Sequence, residues 1–198
     1  MKIIDCIQGS DEWFKARCGI PTASEFSSII TTQGKTSKSR EKYMYQIAGE
    51  RLLGKSVEGY TNGNMQRGQE LEAEAREAYE IITSQEVRQV GFCLSDNGLY
   101  GVSPDGLIGD EGGLEIKCPT LPVHILYLLE NKLPTDYIQQ VQGQLLVTGR
   151  KWVDFFSYFP GIKPLIVRVY PDKEFIKMLR VELEVFCIQL KEVVEKLK

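Results

Sequence analysis

Clustered cysteines, long apolar runs and an excess of basic residues are all missing from this 198-residue chain. The five cysteines are widely spaced and form no C-x-x-C pair, which argues against a disulfide framework and against the common zinc and iron–sulfur ligand patterns. The most apolar stretch, Leu121 to Leu129, is interrupted by Pro122 and His124 and is too short to span a bilayer. These absences predict a soluble, cytoplasmic protein in a reducing setting, with no membrane partner.

The charge balance is slightly acidic, with 24 basic residues against 27 acidic ones and a net charge of −3. A protein held to nucleic acid by its overall positive charge is therefore excluded, although a local basic surface is not. The charge is also uneven along the chain. Residues 32–42 carry a net +3 and residues 70–80 a net −4. Residues 32–42 are a candidate surface for binding a polyanion. Bound divalent cations would offset part of the negative charge of residues 70–80.

Hydrophobic periodicity changes after about residue 83, from a helical to a strand period. The first part is predicted to be helical: Ser10 caps a helix that ends at Arg17, and Thr22 to Glu25 has the form of a capping box. Two longer helices are predicted at about 40–53, ending at Gly54, and at about 64–82.

The second part combines short strands with two further helices. Strands are predicted at 87–94, 99–103, 114–118, 152–159 and 165–170, with a helix at about 135–147 between them. A last helix carries an apolar stripe from Phe175 to Leu197, which should pack on the sheet. No repeat, low-complexity tract or long linker divides the chain. We therefore expect one α+β domain spanning residues 1–198.

One segment of the strand region combines residues that carry chemistry. Pro104-Asp105-Gly106 is a common turn sequence, and Glu115-Ile116-Lys117 on a strand is usually a solvated face with an ion pair. Together they are more specific. Residues two apart in a strand share one face, so Glu115 and Lys117 lie on the same side, roughly 6.7 Å apart along the chain. A hairpin can place Asp105 beside Glu115.

Two carboxylates held close together repel each other unless a cation lies between them. Their hard oxygens suit Mg²⁺ or Mn²⁺, which keep several waters. A lysine next to such a cation should have a lowered pKa and could help to deprotonate a bound water. A metal ion, an attacking water and a lysine are the components of a phosphodiester hydrolysis site.

This arrangement resembles the PD-(D/E)XK nuclease motif, and further blocks resemble the bacteriophage lambda exonuclease group, the YqaJ-type viral recombinases. The blocks occur in the family's order and cover about two-thirds of the chain. They are Trp13 with Arg17-x-Gly19 and Thr22 to Glu25, then Gly68 to Glu72 with Ala75-Arg76, then Ser103 to Leu107 with Leu114 to Pro119, and finally Tyr137-x-x-Gln140-x-Gln142. The resemblance implies a restriction-endonuclease-like core, with a central mixed sheet flanked by helices and a helical N-terminal part.

The resemblance also implies a role for each matching residue. Asp105, Glu115 and the backbone carbonyl of Ile116 would bind a first metal ion, and Lys117 would position or deprotonate the attacking water. Glu72 would reach a second metal ion, directly or through water, and Gln140 would lie beside the nucleophile. Taken alone, Glu72 is more typical of a solvated glutamate in an acidic helix.

A pocket for a terminal 5′ phosphate is implied at Arg17, Ser24 and Ser103. Arg17 could instead form a surface ion pair, and Ser24 could cap a helix. The polar stretch that contains Lys35, Lys38, Arg40 and Lys42 is the candidate loop facing DNA, although its sequence matches nothing in the family.

The family resemblance predicts a metal-dependent 5′→3′ exonuclease that digests linear double-stranded DNA and leaves 3′ single strands for phage-type recombination. It further implies two Mg²⁺ or Mn²⁺ ions per site, a trimeric ring, a single-strand annealing protein as partner, and a phage- or prophage-encoded protein in the bacterial cytoplasm. Two alternatives stay open: another PD-(D/E)XK endonuclease, and a catalytically silent module that binds DNA or assists assembly.

Overall fold

Two β-sheets and six α-helices form the part of the chain that the computed structural model describes, residues 1–57 and 63–198 without the side chains of 63–66 and 69. The smaller sheet is antiparallel, in the order β1-β3-β4. The larger sheet has the order β2-β5-β6-β7-β8, and it is mixed because β6 and β7 are parallel. The strands are β1 (Lys2–Ile4), β2 (Val87–Arg88), β3 (Phe92–Leu94), β4 (Gly101–Val102), β5 (Gly106–Ile108), β6 (Gly112–Lys117), β7 (Trp152–Ser157) and β8 (Leu165–Val169).

The helices agree with most of the sequence predictions. They are α1 (Asp11–Arg17), α2 (Arg40–Leu53), α3 (Gly63–Thr83), α4 (Leu121–Glu130), α5 (Ile138–Thr148) and α6 (Lys173–Lys196), with 3₁₀ helices at Ala23–Ser28 and Thr135–Tyr137. The hydroxyl of Ser10 accepts from the amide of Trp13, which confirms the predicted cap of α1. Gly54 ends α2 with a left-handed φ of 66°, a conformation that favours glycine.

Strand β6 directs its apolar and its acidic side chains to opposite faces of the larger sheet. Leu114 and Ile116 lie on the face that packs against Ala75 and Tyr79 of α3. Glu115 lies between them in sequence and points to the opposite face, towards α5, as the period of two requires. The sheet therefore holds the acidic residue on one side and anchors the strand through its hydrophobic neighbours on the other.

A hydrogen-bond network around the buried Asp154 joins α3 to the larger sheet. Arg168 of β8 donates from Nε and Nη2 to the two carboxylate oxygens of Asp154 in β7, both at 2.8 Å. The hydroxyl of Tyr79 donates to Asp154 Oδ2 at 2.7 Å. Tyr79 and Asp154 are almost completely buried, whereas Arg168 stacks on Trp152 and stays partly exposed. This network fixes the position of α3 on the sheet.

Helix α5 lies between the larger sheet and the N-terminal part of the chain. Val141 and Leu145 pack on Val153 of β7. On another side, Gly143 lets the helix approach the 3₁₀ helix at Ala23–Ser28, because a Cβ there would stand 2.6 Å from the ring of Phe26. The C-terminal helix α6 contacts α2 and α5, and its stripe shares a core with Cys93 and Val102 of the smaller sheet. The prediction that this stripe packs on the sheet holds for the smaller sheet.

Two local predictions are wrong. The segment 87–94 is not one strand: β2 pairs with β5 in the larger sheet, and β3 pairs with β1 and β4 in the smaller one. Thr22 to Glu25 does not form a capping box, because it begins a 3₁₀ helix without a side-chain cap and the Thr22 hydroxyl contacts other side chains. The division of 87–94 depends on strands that are distant in sequence, whereas the Thr22 hydroxyl is engaged by its near neighbours Arg17 and Ser24.

Helix α4 was not predicted from the sequence. Pro122 lies in its first turn, where proline does not interrupt helical hydrogen bonding, and the chain turns out of the helix at Asn131, which has a left-handed φ of 47°. His124 is buried, with Nδ1 2.8 Å from the Ser157 hydroxyl and Nε2 3.0 Å from the Lys163 carbonyl oxygen.

Within residues 1–57 and 63–198, we find no helix with the length and apolar character needed to cross a bilayer.

Candidate active site

The hairpin of β5 and β6 places Asp105 beside the Glu115–Lys117 strand, as predicted. Gly106 pairs with Leu114, and the backbone amide of Asp105 donates to the Leu114 carbonyl at 3.1 Å. The Asp105 carboxylate turns back over the strand and accepts from the amide of Ile116 at 2.5 Å. This bond fixes the carboxylate at the point where the pairing of β5 with β6 ends.

Glu115 and Lys117 form an ion pair on one face of β6. Lys117 Nζ lies 2.5 Å from Glu115 Oε1, and the glutamate is 1% exposed. The ammonium group also lies 5.1 Å from the centre of the Tyr137 ring, within range of a cation–π contact. The lysine is therefore held by the carboxylate and by the aromatic ring.

Helix α5 supplies two amides to the same carboxylate. Gln140 Nε2 donates to Glu115 Oε1 at 2.5 Å, and Gln144 Nε2 donates to Oε2. The two glutamines are one helical turn apart, so they face the same side of α5. Gln140 was expected beside the reaction centre, and it contacts Glu115. Gln144 was missed, although its i+4 spacing from Gln140 is a signal that could have identified it.

Burial and neighbouring charges shift the pKa values of Asp105 and Lys117. Burial raises the pKa of the Asp105 carboxyl well above its usual range, and nearby Glu115 and Glu72 raise it further against the opposing effect of Lys117. For Lys117, burial lowers the pKa, but Glu115 and Asp105 more than offset burial, and the net pKa is raised. The sequence analysis expected a lowered pKa for Lys117, but that expectation applies to a lysine next to a bound divalent cation. The protein's own charges act in the opposite direction.

The donor set fits a hard divalent cation. The residues offered are two carboxylates and a backbone carbonyl, all oxygen ligands of the kind that Mg²⁺ and Mn²⁺ prefer. The N–H and C=O of one residue in a strand point to the same edge, and the amide of Ile116 points at Asp105. The Ile116 carbonyl therefore faces the Asp105 side of the strand. A cation between these groups would remove the repulsion that raises the pKa of Asp105.

Glu72 of α3 lies near this centre but is paired within its own helix. Its carboxylate binds Arg76 Nη2 one turn later, and the side chain is about one-third exposed. No described atom lies within 4 Å of the Cβ position at Gly68, one helical turn before Glu72, so this part of the α3 surface is open. Over the described ranges, we find no cluster of three or more His, Cys, Asp or Glu side chains arranged to hold a metal ion. A second metal ion at Glu72 would require its ion pair with Arg76 to rearrange.

The residues expected to bind a 5′ phosphate meet at Ser103, two positions before Asp105. The Ser103 hydroxyl oxygen accepts from Arg17 Nη1 and from Trp13 Nε1, both at 2.9 Å. The guanidinium group of Arg17 stacks over the Trp13 ring at 4.0 Å, and its Nη2 lies 3.4 Å from the Thr22 hydroxyl. Trp13 is half-buried, and its contacts hold Arg17 in place.

Ser24 completes this group through Thr22, whose hydroxyl lies 3.3 Å away. Ser24 is exposed, as a residue that receives a ligand must be. Burial lowers the pKa of Arg17 to about 10, so the guanidinium group is charged at neutral pH. Arg17, Ser103 and, through Thr22, Ser24 therefore form one group of a cation and hydroxyls, and Ser103 lies two positions before Asp105.

Comparison with known proteins identifies the family. The model of the YqaJ-like viral recombinase domain matches residues 12–151. The chain belongs to this family. LHK-Exo, an alkaline exonuclease from Laribacter hongkongensis, is 37% identical, with a TM-score of 0.87 and coverage of 95% of this chain and 96% of that one. The structure of LHK-Exo in complex with dAMP gives 37% identity and a TM-score of 0.88, over 96% of each chain.

A phage-related exonuclease from Haemophilus somnus 129PT is 14% identical, with a TM-score of 0.71 and coverage of 90% of this chain and 96% of that one, and it shares the fold. No curated protein sequence matches the chain. The architecture is the restriction-endonuclease-like fold of phage-type exonucleases, as the sequence implied. Membership of the YqaJ-like family and the LHK-Exo match support a phage-type exonuclease.

One residue assigned to the loop facing DNA, Arg40, does not belong to it in this YqaJ-like chain. Arg40 begins α2 and is buried, because its guanidinium group donates to the Glu182 carboxylate at 2.8 Å and lies 5.3 Å from the centre of the Phe186 ring. It therefore joins α2 to α6 and is not a loop residue facing solvent. Lys35, Lys38 and Lys42 are exposed, the last of them on α2.

Proposed function

We propose that the chain is a divalent-metal-dependent exonuclease that hydrolyses linear double-stranded DNA in the 5′→3′ direction. The observation that carries this proposal is the arrangement of Asp105, Glu115 and Lys117 at the end of the β5–β6 hairpin, with both carboxylates fixed by amide donors. Family membership and the 37% identity to LHK-Exo support the exonuclease activity.

In the proposed mechanism, Asp105, Glu115 and the Ile116 carbonyl would hold Mg²⁺ or Mn²⁺, and Glu72 would reach a second ion, directly or through water, once its ion pair with Arg76 rearranges. The bound cations supply Lewis acidity and neutralise charge on the scissile phosphate. Lys117 positions or deprotonates the attacking water. Gln140 donates to Glu115, which keeps the carboxylate in place, and it would lie beside that water.

In this proposal, the side chains around Ser103 bind the terminal 5′ phosphate and thereby set the 5′→3′ direction of digestion. Arg17 presents a guanidinium group, and Ser24 and Ser103 present hydroxyls, a donor set that suits a terminal phosphate. Ser103 is separated from Asp105 by one residue, so a 5′ phosphate bound here would lie next to the proposed metal site. The complex of LHK-Exo with dAMP supports a nucleotide-sized site in a related chain.

The remaining parts of the proposal concern DNA and protein partners. Exposed Lys35, Lys38 and Lys42, opposed by Glu41, offer a net charge of +2 for contacts with phosphates. Digestion from a 5′ end would leave 3′ single strands for phage-type recombination. By family resemblance, we also propose a trimeric ring around the duplex and a single-strand annealing protein that receives the product.

The test of this function is digestion of linear duplex by Asp105→Ala and Lys117→Ala variants. Each should lose Mg²⁺- or Mn²⁺-dependent digestion, because one removes a metal ligand and the other the residue that positions the water. Asp110→Ala and Lys132→Ala are matched controls, since both residues are exposed and outside the site, and these variants should retain activity. Full activity in both site variants would refute the assignment.

The preference for a particular DNA end is tested with linear duplexes that carry a 5′ phosphate or a 5′ hydroxyl, and with closed-circular duplex, which has no end. Faster digestion of the 5′-phosphate duplex would support the Arg17 pocket and the 5′→3′ direction. Cleavage of closed-circular duplex would instead indicate an endonuclease. A folded chain that binds duplex but takes up no Mg²⁺ or Mn²⁺ would indicate a silent DNA-binding module.

A further inference from the structure

Gln144 is buried in α5, yet only part of its amide is satisfied. Its Nε2 donates to Glu115 Oε2, whereas its Oε1 is buried and has no hydrogen-bond partner among the described residues. The side chain is 1% exposed, and the adjacent Leu145 is part of an apolar cluster.

Such a glutamine is unfavourable for stability alone. A buried acceptor without a partner destabilises the fold, and a hydrocarbon side chain of similar size would avoid that cost. The amide group at position 144 is therefore better explained by what its donor does than by packing. That donor contacts Glu115, one of the proposed metal ligands.

The geometry at Glu115 shows what the bond controls. Oε1 accepts from Gln140 and Lys117, and Oε2 accepts from Gln144, so both carboxylate oxygens are held. Without the Oε2 bond, the carboxylate could rotate about its terminal torsion, which is broad for glutamate. Gln144 is the group that opposes this rotation from the buried side.

We propose that Gln144 is a positioning residue that orients the Glu115 carboxylate for metal binding. This inference rests on the proposed function, because it assumes that Glu115 is a metal ligand. Groups that hydrogen-bond to metal ligands typically contribute 10–100-fold to metal affinity or activity. Gln144 has that relation to Glu115 and is too deeply buried to contact DNA.

Gln142 provides a matched control on the same helix. It is also a buried glutamine, but its Nε2 donates to the Tyr170 carbonyl at 3.0 Å and its Oε1 accepts from the Asp172 amide at 2.9 Å. These bonds join α5 to the segment before α6 and do not contact Glu115. Gln142→Leu should therefore reduce stability, because it leaves two backbone groups unpaired.

The experiment measures Mn²⁺ binding by isothermal titration calorimetry, with thermal unfolding and Mn²⁺-dependent digestion of linear duplex in parallel. Gln144→Leu should bind Mn²⁺ about 10–100-fold more weakly than the wild type, and its digestion rate should recover as Mn²⁺ is raised. Gln142→Leu should unfold at a lower temperature and keep wild-type Mn²⁺ affinity. Gln144→Met repeats the measurement if the leucine variant does not fold.

Each result decides the inference. Wild-type Mn²⁺ affinity in a folded Gln144 variant would overturn it, even if digestion of DNA by the wild type is metal-dependent. Equal weakening in the Gln142 variant would also overturn it, since the effect would then follow general loss of stability. Absence of Mn²⁺ binding by the wild type would refute the proposed metal dependence itself, and the inference would fall with it.

Discussion

Replacing Tyr79 with phenylalanine should destabilise the protein through the loss of one hydrogen bond. The Tyr79 hydroxyl donates to Asp154 Oδ2 at 2.7 Å, and both side chains are almost completely buried. The change preserves the ring, so its edge-to-face contact with Phe156 at 5.4 Å remains. The buried carboxylate loses one of its three donors but keeps both bonds from Arg168.

The size of the effect follows from the charge on the acceptor. Hydrogen bonds to charged groups contribute about 1.5–3 kcal/mol. In a chain of this length, each kcal/mol shifts the melting temperature by about 2–4 °C, so Tyr79→Phe should lower it by about 3–12 °C. Circular dichroism during heating and urea unfolding give the two measurements. Tyr45→Phe is the control, because Tyr45 is 58% exposed on α2.

A loss below about 0.5 kcal/mol in Tyr79→Phe, the range of ordinary surface substitutions, would contradict this reasoning. Such a result would mean that Arg168 alone satisfies Asp154. The ion pair would then hold β7 to β8 without helping to anchor α3.

Two further predictions concern close packing and alkaline pH. Gly143→Ala should cost about 1–3 kcal/mol in urea unfolding, because the new methyl group would overlap the ring of Phe26. Gly49→Ala in α2 meets no atom within 4 Å and should be neutral or stabilising. The unfolding free energy should fall gradually above about pH 8.5 and more steeply above about pH 10. Burial raises the pKa of the buried cysteine thiols above their unfolded value of about 8.5 and the pKa of several tyrosines above about 10, and only the unfolded chain then releases those protons. These tyrosines are Tyr43, Tyr79 and Tyr127. Absorbance at 295 nm should show them ionising only as the chain unfolds, and their ionisation near pH 10 in the folded protein would contradict the prediction.

The acidic centre was predictable because its geometry is local. The strand period fixes Glu115 and Lys117 on one face, and a short hairpin is enough to bring Asp105 beside them. The end of α2 was equally predictable, since Gly54 follows the last turn and adopts the left-handed conformation that glycine favours. Each of these features depends on residues within about ten positions of one another.

The features that were missed depend on distant partners. Arg40 looked like a loop residue because its partner Glu182 lies 142 positions away on α6. Gln144 acts on Glu115, which lies 29 positions earlier. The segment 87–94 divides between two sheets, and the strands that pair with β2 and β3 decide this. No local pattern identifies the partners of Arg40 or of β2 and β3, whereas the i+4 spacing from Gln140 is a local signal for Gln144.

The one-turn spacing of Gln140 and Gln144 means that α5 cannot gain or lose a residue between them without disturbing their contacts with Glu115. A residue inserted between them would rotate everything after it by about 100° around the helix axis, so Gln144 would turn away from Glu115. The same rotation would move Leu145 out of its contact with the sheet. Helix α5 should therefore tolerate substitution far better than insertion or deletion. The turn at Gly161, which is exposed and far from Glu115 in sequence, is a much better place for the chain to gain or lose residues.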